Sequence, residues 1–210
     1  MRRRPFLALI VACATAMLAG SVSAQAPVAA WKPALEGRAL LTALRGGGYV
    51  LYFRHTSTDF GQNDEKMSGY EDCTTQRNLT DVGRAEARAI GVALKKLAIP
   101  VGTVLASPFC RTRETAQLMF GRAEPSPAAR GGPADASGDR YAALRVLMST
   151  PVPGRTNLVI ASHGNPFRAL TELPYLAEGE AAIIAPRGSE GYTVVARVRK
   201  DQWLDLERSS

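Results

Sequence analysis

Apolar and polar positions alternate along this chain in blocks whose length and period predict its elements. Leu40, Leu41 and Leu44 fall on one face between Glu36 and Arg45, which predicts a short helix that Gly46-Gly47-Gly48 ends. Tyr49-Val50-Leu51-Tyr52-Phe53 is a continuous apolar run rich in β-formers, the pattern of a strand buried on both faces. It gives way at Arg54-His55 to a polar stretch, Thr56 to Asn78, which is expected to be a long surface loop, of a length that is functional or disordered in compact domains. Thr80 reads as an N-cap with Asp81 in the first turn, opening a helix through Ala85, Ala89, Val92, Leu94 and Leu97 that stops near Pro100. Val101 to Ala106 is a second strand, ending at Ser107-Pro108, and a helix with Ala116 and Phe120 on its apolar face is expected from Arg113 to Phe120. Gly121 to Gly138 is an irregular Pro/Gly/Ala-rich excursion. Tyr141 to Met148 reads as a helix with Leu144 and Leu147 inward, and Leu158 to Ala161 as a third buried strand ending at Ser162-His163. A helix from Pro166 to Leu173 follows, with proline tolerated in its first turn, and then two strand-like pieces, Ala182 to Ala185 and Tyr192 to Val198.

Strands alternating with helices predict an α/β fold: a single three-layer domain over residues 34–210, its mostly parallel central sheet flanked by helices. The N-terminus has a different character. Arg2, Arg3 and Arg4 precede an apolar stretch from Phe6 to Gly20, and small residues in Ser21-Val22-Ser23-Ala24 suit cleavage after Ala24. Residues 1–24 are therefore expected to be a signal peptide and 25–33 a flexible lead-in. The apolar run is short for a membrane span. Arg3-Arg4-Pro5-Phe6-Leu7 is similar to a twin-arginine signal, and Ile10-Val11-Ala12-Cys13 to a lipoprotein box, although the apolar run continues past Cys13. The expectation is an exported, periplasmic protein with no stable membrane association once the signal is removed.

With 46% hydrophobic and 21% charged residues in a chain of 210, the composition is that of a globular domain and excludes coiled-coil, collagen-like and disordered chains. The formal charge is +7, but three of the arginines lie in the expected signal. The remaining chain has neither a basic run nor an aromatic-interleaved patch, so nucleic acid is not an expected partner. Two cysteines, Cys73 and Cys110, survive signal removal; an even count in an oxidising compartment favours a disulfide over a reactive thiol or a zinc site. No metal and no cofactor is expected.

In open α/β sheets, ligands bind at the carboxyl ends of the strands. Three predicted strands end at Arg54-His55, at Ser107-Pro108-Phe109-Cys110-Arg111 and at Ser162-His163, so the only two histidines of the chain meet arginines at one sheet edge. Guanidinium forks match phosphate oxygens, and imidazoles supply nucleophilic or acid–base chemistry. There is no P-loop, no G-x-S-x-G elbow and no carboxylate cluster at these strand ends, which disfavours magnesium-assisted phosphoryl transfer.

These residues resemble the histidine phosphatase (phosphoglycerate-mutase-like) superfamily. Phe53-Arg54-His55-Thr56 is similar to its R-H-G signature and Leu79-Thr80-Asp81-Val82-Gly83 to its L-T-x-x-G helix start. Ser107-Pro108-Phe109-Cys110-Arg111 with Thr115-Ala116 is similar to S-P-x-x-R-x-x-x-T-A, and Ser162-His163-Gly164 to the second histidine motif. The order is that of the family, over Tyr49 to Leu170. The resemblance implies a phosphoglycerate-mutase-like fold, His55 as the nucleophile that becomes phosphohistidine, and Arg54, Arg111 and His163 as its phosphate pocket. Thr56 stands where the signature has glycine, acceptable as an additional pocket residue if its hydroxyl faces the phosphate. Ser162-His163-Gly164-Asn165 lacks the His-Asp pair of the acid-phosphatase branch, which places the chain nearer the mutase-like branch, with a separate carboxylate as proton donor. That donor is not identified: Glu124, Asp135 and Asp139 lie in the excursion, Asp59 and Asp64 in the loop after His55, and each reads as a surface charge. The family fold returns that loop over the active-site edge, which implies a Cys73–Cys110 disulfide. The function expected is metal-independent hydrolysis of a phosphomonoester, with a phosphorylated small molecule or envelope sugar as substrate. The alternative is a non-catalytic phosphosugar- or polyanion-binding protein on the same scaffold.

Overall fold

The computed structural model describes residues 31–132 and 138–208; the expected signal peptide, the greater part of the lead-in and Asp135 lie outside the described residues. In chain order the elements are helix α1 (Gly37–Gly46), strand β1 (Val50–Arg54), helix α2 (Asp81–Lys96), strand β2 (Val101–Ala106), helix α3 (Cys110–Phe120), strand β3 (Glu124–Pro125), helix α4 (Ala142–Ser149), strand β4 (Asn157–Ser162), helix α5 (Gly164–Thr171), strand β5 (Ala181–Pro186) and strand β6 (Tyr192–Val198). The sheet order is β3-β2-β4-β1-β5-β6. β3, β2, β4 and β1 are parallel, while β5 and β6 add an antiparallel edge. Among the described residues no helix is long and apolar enough to cross a membrane.

Strand alternation sorts the core into two halves. Leu51 and Phe53 of β1 join Val104, Val159 and Ala161 beneath α1, α2, α3 and Trp203. Val50 and Tyr52, one residue out of phase, face Ile160, Ala182 and Ile184 beneath α4 and α5. Both faces are covered, which gives the expected three layers.

The fold settles which face of α2 is buried, and it corrects two local expectations. The inward stripe of α2 is Gly83, Ala87, Ile90, Ala93 and Leu94, whereas Ala85, Ala89 and Val92 face outward. Both stripes have helical spacing; the one carrying the larger Ile90 side chain and the clearance at Gly83 is buried. A Cβ on Gly83 would lie 2.0 Å from the Ser57 carbonyl oxygen, so this helix can approach the segment after β1 only with glycine there. Helices α3 and α5 begin at Cys110 and Gly164, earlier than periodicity indicated, because their first turns carry site residues rather than apolar ones. In α4, Met148 joins Leu144 in full burial, with Leu147 only partly covered.

The carboxyl ends of β2, β4 and β1 are adjacent in the sheet, so Ser107, His163 and His55 meet at one edge.

Candidate active site

A cavity of about 310 Å³ opens at this edge, and Arg54, His55, Asp64, Arg77, Phe109, Arg111, Arg130, Arg140 and His163 are among its lining residues. His55 is 2% exposed. Its Nδ1 lies 3.0 Å from the Thr56 carbonyl oxygen, a bond that requires the proton on Nδ1 and leaves Nε2 as the lone-pair nitrogen. Burial first, and then the charges of Arg111, Arg54 and Arg77, push its pKa down to about 3, so the ring is neutral. His163 caps α5 with its ring 5.7 Å from that of His55, and its Nε2 lies 2.8 Å from Ser107 Oγ. Desolvation and the neighbouring charges hold it well below the usual histidine value. The Tyr52 hydroxyl, 2.8 Å from the His163 carbonyl oxygen, fixes the backbone behind the ring. A Cβ on Gly164 would lie 2.5 Å from the Tyr175 ring, which explains the glycine after the second histidine.

Arg111 is 5% exposed and held by the loop after β1. Its Nη1 and Nη2 donate to the two carboxylate oxygens of Asp64 at 3.0 and 3.1 Å, and Nη1 also donates to the Arg77 carbonyl oxygen at 3.3 Å. Of five N–H donors this leaves Nε–H and one on Nη2, a side-on fork for an oxyanion. Arg54 donates from Nη1 to the Leu176 carbonyl oxygen at 2.8 Å, and its Nη2 is 3.6 Å from Glu178. The buried Nε atoms of Arg54, Arg77, Arg111 and Arg140 have no hydrogen-bond partner. An unsatisfied buried donor is costly, and four of them around one cavity mark a place built for an acceptor-rich ligand.

The four residues expected at the pocket, Arg54, His55, Arg111 and His163, are thus together. Thr56 is not at the pocket: its hydroxyl lies 3.3 Å from Thr115 Oγ1, which also accepts the Thr56 N–H, and it faces α3 rather than the cavity. The threonine of the S-P-x-x-R-x-x-x-T-A pattern thereby secures the backbone next to His55. Cys73 and Cys110 form the expected disulfide, with Cα atoms 5.7 Å apart. It ties the loop to the first residue of α3, beside Arg111.

Among the carboxylates weighed as acids, Asp64 lines the cavity, contrary to its reading as a surface charge. Burial raises its pKa, but the Arg77 N–H and Arg111 outweigh this and hold it below the usual carboxylate range, so it is ionised and unsuited to donate a proton. Asp59 accepts from Gly61 N, Asp139 pairs with Arg145 and Glu124 is exposed on β3; none of the three lines the cavity.

The sequence reading missed several site residues. Glu178 accepts from Thr58 Oγ1 at 2.7 Å and lies 3.8 Å from His55 Nδ1, so the strand ends do carry carboxylates, supplied by loops. Gln76, 1% exposed, donates to the Gly69, Tyr70 and Asp72 carbonyl oxygens and accepts from Cys110 N, and so organises the loop around itself. Arg77, Arg130 and Arg140 complete the cavity wall. Their clue in the sequence was the basic excess; nothing local marked which arginines would converge.

Residues 50–132 match the sequence profile of the histidine phosphatase superfamily (branch 1). No curated protein matches the chain. Among solved structures, the protein histidine phosphatase SixA complexed with tungstate is similar at 22% identity and a TM-score of 0.50, covering 72% of this chain and 97% of its own. A phosphoserine phosphatase variant from Entamoeba histolytica in complex with phosphoserine aligns at 13% identity and a TM-score of 0.49, over 73% of this chain and 98% of its own. A mycobacterial glucosyl-3-phosphoglycerate phosphatase aligns at 20% identity and a TM-score of 0.45, over 65% and 89%.

Proposed function

We propose that this chain, whose residues 50–132 match the profile of the histidine phosphatase superfamily, is an exported phosphomonoester phosphatase that works through phosphohistidine on His55. The observation that carries this reading is a neutral histidine, proton on Nδ1, in a cavity whose arginines retain unpaired buried N–H groups.

In the reaction proposed, Nε2 of His55 attacks phosphorus in line with the ester oxygen, forming an N–P bond as the P–O bond breaks. Arg54, the side-on fork of Arg111, and His163 donate to the equatorial oxygens, where charge spreads in the transition state. The leaving oxygen takes a proton from water; the hydroxide left behind takes a proton from a second water as the oxygen of that water attacks phosphorus, and the N–P bond breaks to return inorganic phosphate and neutral His55. Glu178, on the Nδ1 side, offsets the positive charge that the ring gains while it carries the phosphoryl group. The N-terminal segment is the reason for proposing export, with a periplasmic phosphorylated small molecule or envelope sugar as substrate.

The test is turnover of an aryl phosphate together with acid-quenched labelling of the protein. Wild type is expected to hydrolyse it and to trap an acid-labile phosphoenzyme, and His55→Ala to lose both. Full turnover by His55→Ala refutes the mechanism, and a folded wild type that binds phosphate but neither turns over nor labels is the binding protein instead.

A further inference from the structure

The cavity holds more positive charge than one phosphoryl group requires. Arg111 is matched by Asp64 and Arg54 lies near Glu178. Arg77, Arg130 and Arg140 form no ion pair among the described residues. These three differ in place. Arg77 follows Gln76 in the disulfide-tethered loop, and its backbone N–H and carbonyl meet Asp64 and Arg111, so it belongs with the inner group. Arg130 and Arg140 come from the other side, between β3 and α4.

Both outer arginines are held in position. The Arg130 guanidinium lies 5.6 Å from the ring centroids of both Tyr70 and Phe109, and Phe109 in turn packs edge-on against His163 at 5.0 Å. Arg140 lies 5.1 Å from the Tyr141 ring, and its carbonyl oxygen accepts from Gly132 N at 2.6 Å, which ties its backbone to the segment carrying Arg130. Cation–π attraction to an aromatic ring holds a guanidinium in place without consuming its N–H groups, which stay available for an oxyanion. At about 310 Å³ the cavity is in the range of small-molecule sites and exceeds what a phosphoryl group alone would fill.

We propose that Arg130 and Arg140 form a second oxyanion subsite, so that the substrate is a compact phosphomonoester carrying a second phosphate or a carboxylate. This rests on the phosphatase reading above and deepens it. The scissile phosphoryl group sits on His55 among Arg54, Arg77 and Arg111, while the second anion meets the two outer guanidinium groups and sets selectivity.

Two matched pairs of probes test it: fructose 6-phosphate against fructose 1,6-bisphosphate, and glycerol 3-phosphate against 3-phosphoglycerate. Wild type is expected to show a kcat/KM about tenfold to a hundredfold higher for the doubly anionic member of at least one pair, the size of one or two charge-assisted contacts. The pair showing it identifies the second group as phosphate or carboxylate. In Arg130→Gln/Arg140→Gln the ratio within that pair is expected to fall to near one, a readout that a general loss of activity does not move. Equal kcat/KM within both pairs of wild type, or a preference that survives in the double variant, overturns the subsite. Calorimetry on His55→Ala separates this from failure of the phosphatase reading. If wild type turns over none of the probes, tighter binding of the doubly anionic members that disappears with Arg130→Gln/Arg140→Gln still upholds the subsite, and equal binding rejects it.

Discussion

Removing the Cys73–Cys110 bridge tests whether the loop after β1 is part of the site or only its cover. The bridge closes a loop with a sequence separation of 37. In the chain-entropy model a loop of that size constrains the unfolded state by about 4 kcal/mol at 25 °C. For a domain of this length that corresponds to a fall in Tm of about 8–16 °C. The perturbation is Cys73→Ser/Cys110→Ser, made as a pair so that no lone thiol remains, and compared with reduced wild type. The structure predicts a second effect besides stability. The loop carries Asp64, which takes the end-on fork of Arg111, and Arg77, whose carbonyl accepts from it. Freed at Cys73, the loop keeps the Asp64 and Glu71 pairs with Arg111 and Arg113 and the Cys110 N–H on Gln76 Oε1 among its contacts with α3. Arg111 then loses part of its preorganisation, and KM for an aryl phosphate is expected to rise several-fold with a smaller change in kcat. The assays are urea denaturation, thermal melting and steady-state kinetics, after non-reducing mass spectrometry has established the bridge in the starting protein. A stability loss below about 1 kcal/mol with unchanged KM contradicts the assigned role, and two alkylatable thiols in unreduced protein contradict the bridge itself.

Arg111→Ala and His163→Ala are each expected to lower turnover about 100-fold or more while the protein stays folded, because each removes preorganised stabilisation of the transferring phosphoryl group. Vanadate binding measures the same placement without turnover, and an unchanged affinity in Arg111→Ala removes that residue from the phosphate. Stability should depend on pH through His55. Its folded pKa is depressed from 6.5 to about 3, so the unfolded chain binds more protons between those values; stability is full above about 6.5 and declines as pH falls toward 3. At pH 5 this amounts to about 2 kcal/mol from His55 alone. Urea denaturation at pH 7 and pH 5, on wild type and His55→Asn, checks it, and equal pH dependence in the two proteins contradicts the burial argument.

The parts of the site visible in the sequence were those for which local order is enough. Strands β1, β2 and β4 are short apolar runs, and each delivers its terminal residues to the same edge because parallel strands must end together. Arg54, His55, Arg111 and His163 could therefore be placed from their position after a strand. The family pattern added residues whose purpose only packing reveals. Ser107 holds the His163 ring, Thr115 holds the backbone beside His55, and Gly83 admits α2 against Ser57. What was illegible arrives across long separations. Glu178 reaches Thr58 from 120 residues away and Asp64 reaches Arg111 from 47, through loops with no hydrophobic period to read. The buried face of α2 was not legible for a related reason: two stripes of equal spacing differ only in which one the rest of the fold covers.

The charge balance of the site has a physical logic in this division between local and distant residues. A pocket that binds a dianion needs guanidinium groups, yet burying them unpaired opposes folding. Arg111, the most deeply buried of those with an acid partner, is matched by Asp64 through its end-on fork, which steadies the side chain without using the side-on N–H groups. Arg130 and Arg140, on the outer wall, have aromatic faces instead of acids, and aromatic contact orients a cation without neutralising it. The same positive field, added to burial, keeps both histidines neutral before substrate enters. A bound phosphomonoester reverses the field: its negative charge lowers the cost of placing positive charge on His55 as the N–P bond forms. The substrate thus supplies the counter-charge that the folded chain withholds, and the geometry is tuned to the state in which that charge is present.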